Sequence, residues 1–278
     1  MVWHGKHQTL TEPAKCPDRQ ARVYGPGDLT VRESETGVAV NGPMLGAVAG
    51  LAAAPLLRAV VVRHAVPTAE DPLRTACSAC GRPVRALSPT GRCRGCGGRL
   101  GPGAGLVELA AGGAAGLALA AAAPVEGLLL LWAVLCGVPL GFVDGAVRRL
   151  PDRVTGCLGG GVALLLVPAA LADGHPGVLL RCLLVALVAG ALFELPAWFG
   201  LIGLGDAKLA LGLGALLGFY GWGPAFVALF LASALGALWG TGRAVAELVR
   251  RRPVRGLEIP YGPFMLLGTL GAVLLAQR

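Results

Sequence analysis

Charge is scarce in this chain. Only 14% of its 278 residues are Asp, Glu, Lys or Arg, against about 25% in an ordinary soluble domain. That scarcity excludes a surface built mainly for water. Aromatic residues are few as well, at 5%, and no basic face carries interleaved aromatics, so nucleic acid is not an expected partner. Alternation of apolar and polar residues is missing, which excludes a membrane β-barrel. Missing too, at the N-terminal end, is a charged head followed by an apolar run and a small-residue cleavage site, the pattern of a secretory signal.

What fills the chain is apolar residue: 55% of the positions, with a mean hydropathy of +0.67. Long apolar runs recur every 20–30 residues, each long enough for the roughly 30 Å hydrocarbon core of a bilayer. The expected fold is all-α, a polytopic membrane protein of about eight transmembrane helices with one small cytoplasmic cysteine loop. The spans are expected at about 44–63, 104–123, 125–144, 154–172, 177–200, 206–220, 223–242 and 259–276. Ala, Gly and Leu dominate them, and small residues let membrane helices approach closely. GxxxG spacings are too frequent for any one to stand out.

In domain terms, residues 1–42 read as a disordered tail or as sequence upstream of a misplaced start, since Met44 stands at the edge of the first apolar run. Residues 43–66 form the first transmembrane helix, 67–103 the cysteine loop and 104–278 a seven-helix core.

The net charge of +8 becomes informative once it is located. Arg74, Arg82, Arg85, Arg92, Arg94 and Arg99 follow the first span. Arg148, Arg149 and Arg153 mark the next basic loop, and Arg243, Arg250, Arg251, Arg252 and Arg255 the last. The joins AAPVEG, ADGHPG and YGWGP between them hold no Lys or Arg. The positive-inside rule then puts the arginine loops in the cytoplasm and both termini outside.

Residues 77–96 read CSACGRPVRALSPTGRCRGC. They hold two CxxC pairs, Cys77/Cys80 and Cys93/Cys96, each followed by Gly as in a metal knuckle. Four thiolates in two knuckles suit tetrahedral Zn²⁺, and a reducing cytoplasm disfavours disulfides as the alternative. The loop is too small to bury a core, so a structural metal is what it needs in order to fold. Cys16, Cys136, Cys157 and Cys182 show no paired spacing, and the last three, in or beside spans, read as small apolar side chains.

Carboxylates in the spans are few: Glu108, Glu126, Asp144, Glu194 and Asp206. A carboxylate in a bilayer is costly, so such residues ordinarily mark a function. Glu126 lies by an outer join within reach of water, and Glu108 and Glu194 read as packing or hydrogen-bonding groups. Asp144, in VDGAVRRLPD, and Asp206, in GLGD, fall at the cytoplasmic ends of spans 3 and 6, and so at one membrane depth. Gly203 and Gly205 let the backbone bend and approach an extended substrate strand. Two carboxylates held together share a proton, so one can take a proton from water while the other gives one to a leaving amine. The bland alternative is that each aspartate caps a helix end.

These motifs together resemble the type IV prepilin peptidases, a family of GxGD membrane aspartic proteases. The likeness covers roughly 44–276 in the family's order. GLAAAPLLRAVVVRHAVP at 50–67 is similar to the family's opening motif, with its Ser, Phe and Asn replaced. GPGAGLVEL at 101–109 resembles its PLVEL, and IPYGPFMLLG at 259–268 its IPFGPFLA. The family's first catalytic aspartate stands eight positions before the Asp of an (I/L)PD signature, as Asp144 stands before Asp152, with Leu150–Pro151 between. Its second lies in GxGDxK, matched by Gly203, Gly205, Asp206 and Lys208.

The resemblance implies a prepilin or pseudopilin substrate. The basic leader is cut at the cytoplasmic face, typically after Gly, by the pair Asp144 and Asp206. Pro151 and Asp152 become signature residues, with Asp152 capping span 4, and Lys208 snorkels to the headgroups. Many relatives with the cysteine loop also N-methylate the new N-terminus with S-adenosylmethionine, although no pocket for it is recognisable in the sequence. Three rivals remain open. They are a peptidase for archaellin-type precursors, a noncatalytic zinc-bearing scaffold of a secretion or pilus system, and an ion-coupled transporter. The last should show inverted repeats, and none is evident.

Overall fold

A computed structural model describes residues 29–68, 71–84, 90–120, 122–172, 177–199, 203–251 and 259–278. Two compact units divide the chain, Met1–Gly37 and Val38–Arg278, and the second holds most of the first helix and all the others. The helices are α1 (Leu29–His64), α2 (Leu106–Ala118), α3 (Pro124–Val147), α4 (Asp152–Ala172), α5 (Val178–Trp198), α6 (Leu204–Tyr220), α7 (Trp222–Val249) and α8 (Gly262–Ala276). Among the described residues there is no strand beyond two single bridges in the cysteine loop. Residues 1–28 of the expected tail lie outside the described residues, and α1 starts at Leu29, ahead of the expected 44.

Among the described residues five helices are long and apolar enough to cross a membrane: Asn41–His64 of α1, α3, Asp152–Leu171 of α4, α5 and α7. Eight spans were expected. The other three helices have 13, 17 and 15 residues in α2, α6 and α8. At about 1.5 Å per residue they are shorter than the hydrocarbon core is thick. Leu164, Phe230 and Leu238 are each more than 70% exposed on helix surfaces, which suits lipid and not water. The chain is a multi-pass membrane protein.

Local chemistry explains where these helices begin and end. Pro124 opens α3, where a missing N–H costs nothing, and the Ala123 N–H donates to Glu126 Oε2 at 3.3 Å. Arg148 turns the chain out of α3 in the left-handed region, φ 54°. Pro151 then stands just ahead of α4, and Thr155 Oγ1 donates back to its carbonyl at 3.2 Å.

The interior is built on close approach. α6 packs against α4, α5, α7 and α8, and α3 against α2, α4 and α8. A Cβ at Gly212 would come within 2.8 Å of Leu158, and one at Gly218 within 2.5 Å of the Cys182 Cα. Gly46 and Gly50 do the same for α1, where added Cβ atoms would collide with the Ala115 and Ala111 carbonyls of α2. Small residues at these positions thus bring the helices into contact.

Two arginines satisfy backbone that lipid could not. Arg181 of α5 donates to the Gly218 and Phe219 carbonyls at 2.7 Å each, closing the C-terminus of α6. Arg58, only 2% exposed, sits inside the apolar run of α1. It pairs with Glu108 at 2.6 Å and donates to the Pro102 and Gly103 carbonyls. Glu108 therefore clamps α2 and the segment before it to α1. Glu126 accepts from the Tyr220 hydroxyl and, at 3.2 Å, from Gln277 Nε2, joining α3, α6 and α8. Glu194 instead lies on an exposed face of α5 beside Leu195.

Candidate active site and metal centre

Asp144 lies in the last turn of α3 and Asp206 in the first turn of α6, so two central helices carry the carboxylates to the same end of the bundle. Both line one cavity of about 780 Å³, and Asp206 is within Coulombic reach of Asp144. Asp144 is 4% exposed. Its Oδ2 accepts the Gly262 N–H at 2.9 Å, a bond that ties α3 to the first residue of α8. A helix N-terminus favours a negative neighbour. A Cβ on residue 262 would stand only 2.9 Å from the same oxygen, so glycine is what allows the approach. The sequence offered Gly262 only as part of a resembling segment, with no role.

The glycines ahead of Asp206 work differently from the bending expected of them. Gly203 has φ −74° and ψ 138°, an extended conformation open to any residue. Gly205 is the one that needs to be small, because a Cβ there would lie 3.0 Å from the Leu150 Cβ. It seats the start of α6 against the Leu150–Pro151 turn, and so fixes Asp206 relative to Asp144.

Lys208 and Asp152 meet at the cavity's edge. Lys208 Nζ stands 2.6 Å from Asp152 Oδ1, with both side chains more than half exposed. Asp152 is the first residue of α4, where a carboxylate suits the helix dipole, and its oxygen takes the lysine. Lys208 is therefore anchored on a protein carboxylate and joins α6 to α4.

The fourth wall comes from the chain between α1 and the cysteine loop, including Val66, Thr68, Asp71 and Leu73. Arg149 Nη1 donates to the Pro67 carbonyl at 3.2 Å, and the Arg74 N–H to the Arg63 carbonyl at 3.0 Å. The Thr68 N–H reaches Asp71 Oδ2 at 2.8 Å. The Thr68 hydroxyl and N–H hold the Asp71 carboxyl below the usual carboxylate range.

The cysteine loop brings its four thiols together. All four Sγ atoms lie within 4.8 Å of one another. Cys77 and Cys96 are 3.7 Å apart, and Cys80 and Cys93 3.6 Å. Thiolates at about 2.3 Å from one tetrahedral ion stand about 3.8 Å apart, so the donor set and its spacing fit a zinc ion. The two knuckles repeat each other. The Cys77 N–H reaches the Arg82 carbonyl and the Cys93 N–H the Gly98 carbonyl. Gly81 and Gly97 turn the chain at φ 66° and 72°, where a side chain would be strained. The Cys96 and Gly95 N–H groups lower Cys93 to about 6. Cys80 is pulled down by the Arg82 N–H but pushed further up, to about 11, by the thiols around it and by burial. Crowded thiols cannot all ionise without a cation among them.

A model described as the type IV leader peptidase family matches residues 127–241, a stretch containing both aspartates. A prepilin leader peptidase/N-methyltransferase of Aeromonas salmonicida is 30% identical over 210 residues, 70% of this chain and 68% of the relative. A protein of the same name from Burkholderia pseudomallei is 32% identical over 216 residues, 70% of this chain and 65% of the relative. No solved structure matches the chain.

Proposed function

The chain belongs to the type IV leader peptidase family, and from that premise we propose that it is a membrane aspartic endopeptidase removing the basic leader of type IV prepilins or pseudopilins. Cleavage takes place at the cytoplasmic face of the inner membrane, after glycine, on Asp144 and Asp206. The observation that supports this best is that the two carboxylates line one cavity while the Gly262 N–H holds Asp144.

The chemistry follows from that arrangement. With Oδ2 engaged by Gly262, the other oxygen of Asp144 is left to take a proton from water. The water oxygen bonds to the scissile carbonyl carbon as that proton leaves. Asp206, protonated, gives its proton to the peptide nitrogen as the carbon–nitrogen bond breaks, releasing a carboxylic acid and a free amine. The pair then exchanges roles to reset. Each aspartate stands on a packed helix, which holds the geometry the two transfers need.

Zinc would be held by Cys77, Cys80, Cys93 and Cys96, and would supply folding energy to a loop with no core of its own. N-methylation with S-adenosylmethionine enters as the second activity in the relatives' names. The two apolar recesses of the bundle, one along α5–α8 and one along α2, α3 and α8, offer a ribose or an α-amino acid almost nothing to bond. No methyl-transfer step is derived from them. The scaffold alternative would leave the dyad without a task.

The test is incubation of purified protein in lipid with a prepilin carrying a basic leader and a Gly–Phe junction, reading product mass. Cleavage after glycine supports the assignment, and an intact substrate across several such prepilins would refute it. An added mass of one methyl group would establish the second activity.

A further inference from the structure

The cavity around the dyad holds more ionisable groups than two proton transfers require. Besides Asp144 and Asp206 it is lined by the carboxylates Asp71 and Asp152 and by the cations Arg148, Arg149, Arg153 and Lys208. Among these positive charges a cationic peptide needs a specific carboxylate to enter. Asp144 and Asp206 face the reaction, and Asp152 is already bound by Lys208 at 2.6 Å. Among the described residues Asp71 makes no close ion-pair contact, although Arg149 acts on its carboxyl through charge, and it is exposed and lines the cavity.

Asp71 is also prepared for the task. The Thr68 N–H fixes one of its oxygens at 2.8 Å, and the Thr68 hydroxyl also acts on the carboxyl, which keeps it charged and oriented. The chain on either side is anchored by Arg149 on the Pro67 carbonyl and by the Arg74 N–H on the Arg63 carbonyl. A carboxylate on such a tied-down wall loses little freedom on binding a ligand. It differs from a solvated surface charge in standing across the same cavity as the scissile site.

We propose that Asp71 is a specificity residue, the subsite carboxylate that takes a lysine or arginine side chain of the peptide being cut. This rests on the peptidase reading of the dyad and adds to it the residue that selects a cationic substrate. Asp71 acts in binding and does not touch the reacting atoms.

A double-mutant cycle between enzyme and substrate tests it. Prepilins are prepared with each basic leader residue changed singly to glutamine, and KM and kcat are measured with wild type and with Asp71→Asn. Asparagine keeps an acceptor for Thr68 and removes only the charge. Expected for the wild type is one position where glutamine raises KM about tenfold, the scale of a hydrogen-bonded ion pair. In Asp71→Asn that same change should leave KM within about twofold. Asp71→Lys should recover affinity for a leader carrying glutamate at that position. Equal penalties in both enzymes at every position would overturn the proposal while leaving the peptidase assignment intact. Failure of the wild type to cut any of these substrates would overturn the peptidase assignment, and this subsite with it.

Discussion

The Gly262 N–H and the Asp144 carboxylate meet at 2.9 Å across 118 positions of sequence. One end of α8 thereby becomes part of the setting of a carboxylate on α3.

Gly262→Ala is therefore expected to impair cleavage without unfolding the protein. The added Cβ would crowd Asp144 Oδ2 and displace a hydrogen bond to a charged group. Such a bond is worth about 1.5–3 kcal/mol, or roughly 10–100-fold in rate. Steady-state kinetics alongside a melting curve would check it. Unchanged kcat would show that Asp144 does not depend on α8.

Gly50→Leu tests the α1–α2 seam. The side chain would have to enter where the Ala111 carbonyl already stands, so the helices must separate. Overpacking costs about 1–3 kcal/mol where neighbours can yield, and backbone yields less than side chains do. Thermal denaturation in detergent should fall by several degrees, and a neutral result would mean that α1 is not seated there.

Glu108→Gln leaves the guanidinium of Arg58 without its carboxylate in a nearly closed site. Breaking a buried pair costs about 3–5 kcal/mol, reduced here because the Pro102 and Gly103 carbonyls keep two of the donors occupied. A loss of about 1–3 kcal/mol is expected, read as a lower melting temperature. The double replacement Arg58→Met with Glu108→Gln should be less damaging than Arg58→Met alone.

How far the sequence carried can be judged residue by residue. The CxxC pairs were legible because knuckle geometry is local. Asp144 and Asp206 were singled out because carboxylates stand out against lipid-like sequence. Gly262 could not be given a role, since nothing near position 262 refers to position 144. Arg58 was passed over inside an apolar run, and its partner became visible only once α1 and α2 were side by side. Gly46 and Gly50 were hidden by abundance, in a chain with 44 glycines. Apolar composition also overstated the length of α2 and α8, because hydropathy continues past the point where the backbone turns.

Metal content is expected at one zinc per chain. Cys77→Ser with Cys96→Ser, which removes one ligand from each knuckle, should abolish it and open residues 75–100 to protease. A metal-free wild type with the same protease resistance would contradict the zinc assignment, because four thiols alone have little to hold two knuckles together.

The central claim is that Asp144 and Asp206 act as one catalytic pair. The most direct measurement is single-turnover cleavage of a prepilin by wild type, Asp144→Asn, Asp206→Asn and the double variant, with folding of each verified by melting temperature. Losing either partner of an acid–base pair should cost at least about 10³-fold, and losing both little more than losing one. Folded single variants that cleave within about tenfold of wild type would contradict the account.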